Sequence, residues 1–325
     1  MHYVVTGGAG FIGSHLVEHL VNAPGGHRVT VLDDFSTGKR ENLAPWLDRI
    51  RMVEGSVTDP NACREAIAGA DFVLHQAALP SVPRSLRDPL ASHEANATGT
   101  LNVLIAARDA KVRRVVYAAS SSAYGNTAEL PKREDMLARP LSPYAVAKLA
   151  GEQYCRAFHA SFGVGTVALR YFNVFGPRQD PTSQYAAVIP KFIVCAVSGE
   201  APTIFGDGEQ TRDFTYVANV VRANLLACEA PAAALGEAYN VGCGERVSVN
   251  MLWHRIRDML GASVEARYEP TRTGDVRDSL ASLDRVHAML GYSPVVTLDD
   301  GLRETVRALT GRSSVAAGSG AAERR

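Results

Sequence analysis

The chain shows no excess of charge of either sign: among 325 residues, Lys and Arg total 34 and Asp and Glu total 34, a formal net charge of +0. No run of basic residues breaks that balance. A protein that grips phosphate backbones needs a basic face, so nucleic acid is not an expected partner. Hydrophobic residues make up 46%. Nowhere do about 18 of them follow one another without a charge or a proline, which excludes a helix spanning a bilayer. The first residues lack the basic flank and unbroken apolar core of a secretory signal. Cysteine is scarce: Cys63, Cys155, Cys195, Cys228 and Cys243 are odd in number and widely spaced. That usage predicts free thiols, a reducing compartment and a cytoplasmic protein rather than a disulfide framework. His15 and His19 would share a helical face, but no third ligand stands near them. They read as surface histidines, and no metal is expected.

What is present is an alternation. Short β-branched runs at Tyr3–Thr6, Val29–Leu32, Arg51–Glu54, Phe72–Leu74, Val115–Ala118 and Thr166–Leu169 are mostly apolar throughout, as strands of a sheet covered on both faces are. Helical patterns lie between them, near Ile12–Asn22, Pro60–Ala68, Pro89–Ala110 and Tyr144–Phe162. This predicts an α/β, Rossmann-like doubly wound parallel sheet. After about residue 170 the texture turns to Pro, Gly and aromatic loops, with helices expected near Tyr185–Ser198, Val217–Ala227, Val249–Leu260 and Leu283–Leu290. We therefore expect residues 1–170 to form the dinucleotide domain, segments near 213–242 to return to it, and 171–310 to form mainly a smaller substrate lobe. The small, polar stretch 311–325 is expected to be disordered.

The first strand runs into Thr6-Gly7-Gly8-Ala9-Gly10-Phe11-Ile12-Gly13 and then a helix. Gly7 can supply a positive φ, Gly10 can let a pyrophosphate approach the backbone, and Gly13 can let helix and strand pack closely. The helix N-terminus would offer unpaired N–H groups to the phosphates. Asp33 ends the second strand about 20 residues on, where a carboxylate accepts bonds from ribose hydroxyls and repels a 2′-phosphate, favouring NAD. Asp34 competes for that role, and Lys39 and Arg40 keep NADP open. Asp59 would face the adenine edge or cap the helix that starts at Pro60; the two are compatible.

Chemistry is suggested by Tyr144 and Lys148. Four apart on a helix, they share a face, and a nearby ammonium lowers a phenol from about 10 toward the range of a usable base. The spacing alone also arises by chance. Ser120, Ser121 and Ser122 end a strand, at the sheet edge where such folds keep their sites.

With these in one order, together with HQAA and LRYFNVFGPRQDP, the chain resembles the extended short-chain dehydrogenase/reductases of the NAD-dependent epimerase/dehydratase family. It is most similar to the UDP-N-acetylglucosamine/UDP-glucose 4-epimerases, through HQAALPSVPRS, AASSSAYG and RQDPTSQYAAVIPKFI. The resemblance implies an NAD-dependent, cytoplasmic, homodimeric isomerase, with its dimer built from the helices at Pro89–Ala110 and Tyr144–Phe162. It implies Tyr144 as acid/base at the sugar 4-hydroxyl, Lys148 on the nicotinamide ribose and lowering the Tyr144 pKa, and Ser120, assisted by Ser122, on the 4-oxygen. Gly7, Gly10, Phe11, Ile12, Gly13, Asp33, Ser36, Thr37, Asp59, Ala77, Ala78 and Asn96 would lie along the cofactor. Asn173, Arg212 and Arg272 would hold the diphosphate and Asp275 the uridine ribose, with Phe205 near the uracil and Ser81, Val188 and Ser279 also toward the substrate. Read without the family, Arg212, Asp213 and Arg272 could be surface ion pairs. Pro80 departs from the Gly or Lys of related epimerases.

The dehydratases of this family place an Asp-Glu pair after the hydroxyl residue, and the decarboxylases place a Glu close by. Here Ser121-Ser122-Ala123 follow Ser120. Without an acid for a leaving group, oxidation at C4 is followed only by return of the hydride, which is epimerisation. Ser279, where sugar-restricted members carry a bulky Tyr, implies room for an N-acetyl group. A UDP-glucuronate 4-epimerase using Arg84 or Arg178 on the carboxylate is the alternative within the family. A non-catalytic NAD-binding regulator is the alternative outside its chemistry.

Overall fold

The computed structural model describes residues 1–181, 187–271 and 276–311. Seven strands form one wholly parallel sheet: β1 (His2–Thr6), β2 (Arg28–Asp33), β3 (Arg51–Glu54), β4 (Phe72–His75), β5 (Arg114–Ser120), β6 (Thr166–Tyr171) and β7 (Glu237–Val241). Their spatial order is 3-2-1-4-5-6-7. The chain reverses direction across the sheet between β1 and β4, which opens a crevice at the carboxyl ends of those two strands.

Each face is sealed by helices. On one, α1 (Phe11–Asn22) buries Leu16, Val17 and Leu20 against Val5, Val31 and Leu74. On the other, α2 (Pro60–Ile67) packs against the helix Gly99–Asp109, which in turn packs against the helix Pro143–Phe162. The pattern expected as one helix over Pro89–Ala110 is interrupted. After α3 (Val82–Arg87), α4 (Pro89–His93) runs into a π-turn over Glu94–Thr98 and only then into α5 (Gly99–Asp109). An amphipathic pattern does not report a one-residue slip of helical register, and α3 was hidden by its two Pro-bounded turns.

The helix α6 (Pro143–Phe162) begins at the N-cap Ser142, whose hydroxyl accepts from the Ala145 N–H, and ends at Gly163 in the left-handed region. It is locked to the sheet by Glu152, which receives Arg170 of β6 in a two-pronged contact of 2.7 and 2.8 Å. Both side chains are 6% exposed, and the Arg170 guanidinium lies over the Tyr124 ring.

Beyond β6, α7 (Val188–Ser198) leads into the second lobe. α8 (Val217–Cys228) returns to the sheet and packs on the α1 face, as does α10 (Asp284–Leu290). A separate core joins α7, α9 (Val249–Leu260) and α11 (Leu298–Thr310) around Phe192, Trp253 and Leu302. The helix α11 was not anticipated from the sequence, because its charged outer face masks the buried stripe of Leu298, Leu302 and Val306. The expected tail after Gly311 lies outside the described residues. Among those residues no helix is long and apolar enough to cross a membrane.

Removing one partner of the Glu152–Arg170 pair leaves a buried, uncompensated charge, so Glu152→Ala should cost about 3–5 kcal/mol in urea unfolding. Replacing both residues by apolar side chains of similar volume should recover most of that loss.

Candidate active site

A cleft of about 1150 Å³ runs along the carboxyl edge of the sheet and under the second lobe. Ligand pockets are commonly about 300–1,000 Å³, so there is room for more than one small ligand. One end is the turn after β1. Gly7 has φ +67, a Cβ there would meet the Ala77 backbone at 2.7 Å, and a Cβ at Gly13 would stand 2.0 Å from the Gly7 carbonyl oxygen. Only glycine allows this approach. Gly10 is the N-cap of α1 and has no side chain with which to cap it, so the first-turn N–H groups at Phe11, Ile12 and Gly13 are presented to the cleft. Such a cradle fits a diphosphate.

Asp33, at the end of β2, is 7% exposed. One carboxylate oxygen accepts from the Ala9 N–H at 2.8 Å and the other from the Phe35 N–H at 2.8 Å, while burial raises its pKa. Asp34 instead closes a local turn with the Ser36 N–H and hydroxyl. Ser36, Thr37, Ala77 and Ala78 all line the cleft. The glycine cradle, the carboxylate beyond it and the apolar floor fit NAD.

Two basic candidates for a 2′-phosphate are engaged elsewhere: Lys39 reaches Asp180 at 3.1 Å, and Arg40 pairs with Glu54 and stacks on Phe35. Two cofactor assignments need correction. Asp59 does not line the cleft; its carboxylate caps α2 by accepting from the Asn61 N–H, and Thr58 takes the place beside the cleft. Asn96 is fully buried beneath the cleft wall, where its amide bonds the backbone of Leu79.

At the centre of the cleft stand Ser120, Ser122, Tyr144 and Lys148. Ser122 donates to the Ser120 hydroxyl at 2.8 Å, and Ser120 is hydrogen-bonded to the Tyr144 phenol. Lys148 is not among the groups that move the Tyr144 phenol without a bound ligand, and its expected effect on that phenol belongs to the mechanism proposed below. Burial raises the Tyr144 phenol, and the opposing influence is Ser120. Lys148 is itself 3% exposed, donates to the Ala118 carbonyl at 2.8 Å, and is brought down by burial to about 7. Burial thus brings the Lys148 ammonium from far above neutrality to the range in which it can lose its proton.

The second lobe contributes Asn173, Arg212 and Ser279 to the cleft wall. Asn173 adopts φ +27, a rare conformation for a side-chain-bearing residue, and donates to the Asp213 carbonyl at 2.9 Å. Val188 and Phe205 do not line the main cleft. They line an adjoining cavity of about 660 Å³ that shares Asn173 and Arg212 with it. Arg272 and Asp275 lie outside the described residues. The surface ion-pair reading of Asp213 is overturned: it is 0% exposed and accepts from the Cys243, Gly244 and Ala281 N–H groups, with burial raising its pKa to about 6. Arg178 is ion-paired with Glu18 of α1 and bonds the Ser14 hydroxyl.

Sequence reasoning missed Lys132 and Asp278. Lys132 is 2% exposed, lines the cleft and ties the carbonyls of Thr127 and Glu129 together. Asp278, also on the wall, accepts from the Thr211 hydroxyl at 2.5 Å. Neither belongs to a motif, and only the fold brings them there.

Because the Lys148 pKa falls from 10.5 to about 7 on folding, the unfolded chain binds more protons between those values. Stability of the cofactor-free protein should therefore rise with pH from about 7 to about 10, and Lys148→Met should flatten that rise in denaturant midpoints across the range.

Residues 3–242 match the model of the NAD dependent epimerase/dehydratase family. A UDP-glucose 4-epimerase from Mycolicibacterium smegmatis is 38% identical over 317 residues, 96% of this chain and 100% of that one. Among solved structures, UDP-N-acetylglucosamine 4-epimerase from Methanobrevibacter ruminantium, in complex with UDP-N-acetylmuramic acid, superimposes with TM-score 0.90 at 39% identity, covering 95% of this chain and 98% of that one. UDP-glucuronic acid 4-epimerase from Bacillus cereus, in complex with UDP-4-deoxy-4-fluoro-glucuronic acid and NAD, does so with TM-score 0.89 at 31% identity, covering 96% and 99%. The chain belongs to the NAD-dependent epimerase/dehydratase family of extended short-chain dehydrogenase/reductases, and within it to the UDP-sugar 4-epimerases, which are isomerases.

Proposed function

We propose that the protein interconverts UDP-N-acetylglucosamine with UDP-N-acetylgalactosamine, and UDP-glucose with UDP-galactose, by inversion at C4. The observation that carries this reading is the line of hydroxyls from Ser122 through Ser120 to Tyr144, with no carboxylate among Ser121, Ser122, Ala123 and Tyr124. The line can pass one proton to and from a sugar oxygen. With no carboxylate at positions 121–124 to act as a second acid, elimination of the C6 hydroxyl is disfavoured and return of the hydride is the step this line supports.

NAD, when bound, supplies the acceptor for the C4 hydride, returns that hydride afterwards, and brings a positive ring charge. Gly7, Gly10, Phe11, Ile12 and Gly13 hold its diphosphate end, Asp33, Ser36 and Thr37 its adenosine ribose, and Ala77 and Ala78 its flank. Tyr144 takes the proton of the 4-hydroxyl. Its phenol starts protonated in the cofactor-free protein, so the base form depends on cationic charge gathered in the cleft, to which Lys148 contributes in its ammonium form. Ser120 donates to the 4-oxygen and Ser122 fixes the Ser120 rotamer. Asn173 and Arg212 grip the diphosphate where the cleft meets the adjoining cavity, with Val188 and Phe205 enclosing the base beyond it. With the nucleotide anchored, the sugar turns against small side chains, Ser81 and Ser279 among them. Ser279 leaves space for an N-acetyl group. Of the two cations the uronate reading would use, Arg178 is neutralised by Glu18, while Arg84 lines the cleft, so UDP-glucuronate remains the alternative substrate.

Incubation with a panel of UDP-hexoses, UDP-N-acetylhexosamines and UDP-glucuronate, with epimers resolved by NMR, tests the substrate. Turnover of UDP-galactose without UDP-N-acetylgalactosamine would sink the assignment. Tyr144→Phe should lower kcat by about 10²–10⁴-fold while calorimetric UDP binding is retained. Ser279→Tyr should reduce turnover of the N-acetylated pair more than that of the plain pair.

We also propose a homodimer through α4 and α6. These helices pack on each other, and their outward Leu90 and Val146 are 75% and 52% exposed. Light scattering should give twice the mass of the chain, and Leu90→Glu with Val146→Glu should shift the species to the monomer.

A further inference from the structure

The wall of the cleft from Ala77 to Leu79 is held from behind by one closed circuit of hydrogen bonds. At the end of β4, the His75 imidazole is 1% exposed. Its Nδ1 lies 2.7 Å from the Thr6 hydroxyl and its Nε2 lies 3.0 Å from the Thr100 hydroxyl. The Thr100 hydroxyl donates to the Asn96 carbonyl at 2.6 Å. Its single proton is thereby used, so toward His75 it accepts, and Nε2 carries the hydrogen. Nδ1 then accepts from Thr6. Thr6 in turn accepts from the Ala77 N–H at 3.2 Å. Donors and acceptors match at every link for one neutral tautomer only.

The circuit closes through Asn96. Its Oδ1 accepts from the Leu79 N–H at 3.0 Å, and its Nδ2 donates to the Leu79 carbonyl at 3.3 Å. Both ends of Ala77–Leu79 are thus held by the same chain of groups. Asn96 lies within the π-turn over Glu94–Thr98, and the Thr100 hydroxyl satisfies its carbonyl at the place where helical register slips. Thr100 also lies within hydrogen-bonding reach of the Tyr117 phenol. Tyr117 donates to the Lys148 carbonyl at 3.2 Å, and its ring lies 5.0 Å below the Lys148 Nζ. With the Thr100 proton on the Asn96 carbonyl and the Tyr117 proton on the Lys148 carbonyl, the wall meets the helix that carries Tyr144 through packing: the His75 and Tyr117 rings lie 5.6 Å apart, and Tyr117 is tied to the α6 backbone.

We propose that Thr100 and His75 are positioning residues of the reaction: with Asn96 they fix the Ala77–Leu79 wall at a set distance from α6, and so from Tyr144. Only the kinetic part of the test rests on the epimerase reading. The alternative is that the circuit contributes stability and nothing else.

Thr100→Val removes the hydroxyl with almost no change of shape, and Thr100→Ser restores it. In the full-length enzyme, Thr100→Val should lower kcat by about 10- to 100-fold, as a misplaced wall does. The UDP dissociation constant should stay within about twofold, because the uridine end lies elsewhere. Thr100→Ser should return kcat to within about threefold of the parent. Unchanged kcat in Thr100→Val, or equal impairment in Thr100→Ser, overturns the proposal. A second measurement needs no variant and no substrate. The His75 imidazole nitrogens of the parent protein should report the neutral Nε2–H tautomer by NMR, unchanged across the pH range of activity. The Nδ1–H tautomer or an imidazolium would overturn the proposal even if Thr100→Val does not fold. If no UDP-sugar is turned over at all, the epimerase reading fails while the tautomer and UDP binding still decide the circuit.

Discussion

The structure depends on how closely α1 approaches the end of β1. A Cβ at Gly13 would stand 2.0 Å from the Gly7 carbonyl, and one at Gly7 would strike the Ala77 backbone. Three chain segments meet there with no side chain between them. The helix start consequently lies in the crevice between β1 and β4 instead of above it, the wall at Ala77–Leu79 comes close enough to share a ligand with the turn, and the cleft becomes continuous toward Ser120. A parallel sheet supplies the rest, because every strand delivers its last residue to that same edge: Thr6, Asp33, His75 and Ser120 all occupy it.

The electrostatics of the site follow from burial more than from pairing. His75 is pushed down to about 3, Lys148 to about 7, and Tyr144 is raised. Each shift moves its group toward the neutral form, and burial is the largest cause in all three. Charge is concentrated instead at the supports: Glu152 with Arg170 beneath α6, and Asp213 gathering three backbone N–H groups in the second lobe. A site built this way changes its proton inventory strongly when a charged ligand enters.

Much of this was legible in the sequence, and for identifiable reasons. The glycine turn, Asp33 and the pair of Tyr144 and Lys148 act through local spacing, which a sequence displays directly. The strands were visible because a doubly covered sheet makes them apolar throughout. What stayed hidden depends on distance along the chain or on a single slip of register. The π-turn leaves the apolar pattern nearly intact. The role of Asn96 depends on Leu79, 17 residues away. Asp213 looked like half of a surface pair because its true partners are backbone groups at Cys243, Gly244 and Ala281. Asp59 was visible as a cap, and its carboxylate accepts from the Asn61 N–H at the start of α2. The direction of the Tyr144 shift could not be read from the helix spacing, since burial is its largest cause and the opposing influence is Ser120.

Asp33 has a consequence for how cofactor preference can change. Both of its oxygens are already bonded within the protein, one to the Ala9 N–H in the glycine turn and the other to the Phe35 N–H. Exchanging it for a neutral residue to admit a phosphate would release the turn at the same moment, so selectivity and cofactor affinity are inherited as one trait. Adjacent positions are not bound in this way. Asp34 and Ser36 satisfy each other within a single turn at the cleft rim. Evolutionary drift or laboratory redesign toward another dinucleotide has its open route there, and meets its barrier one residue earlier.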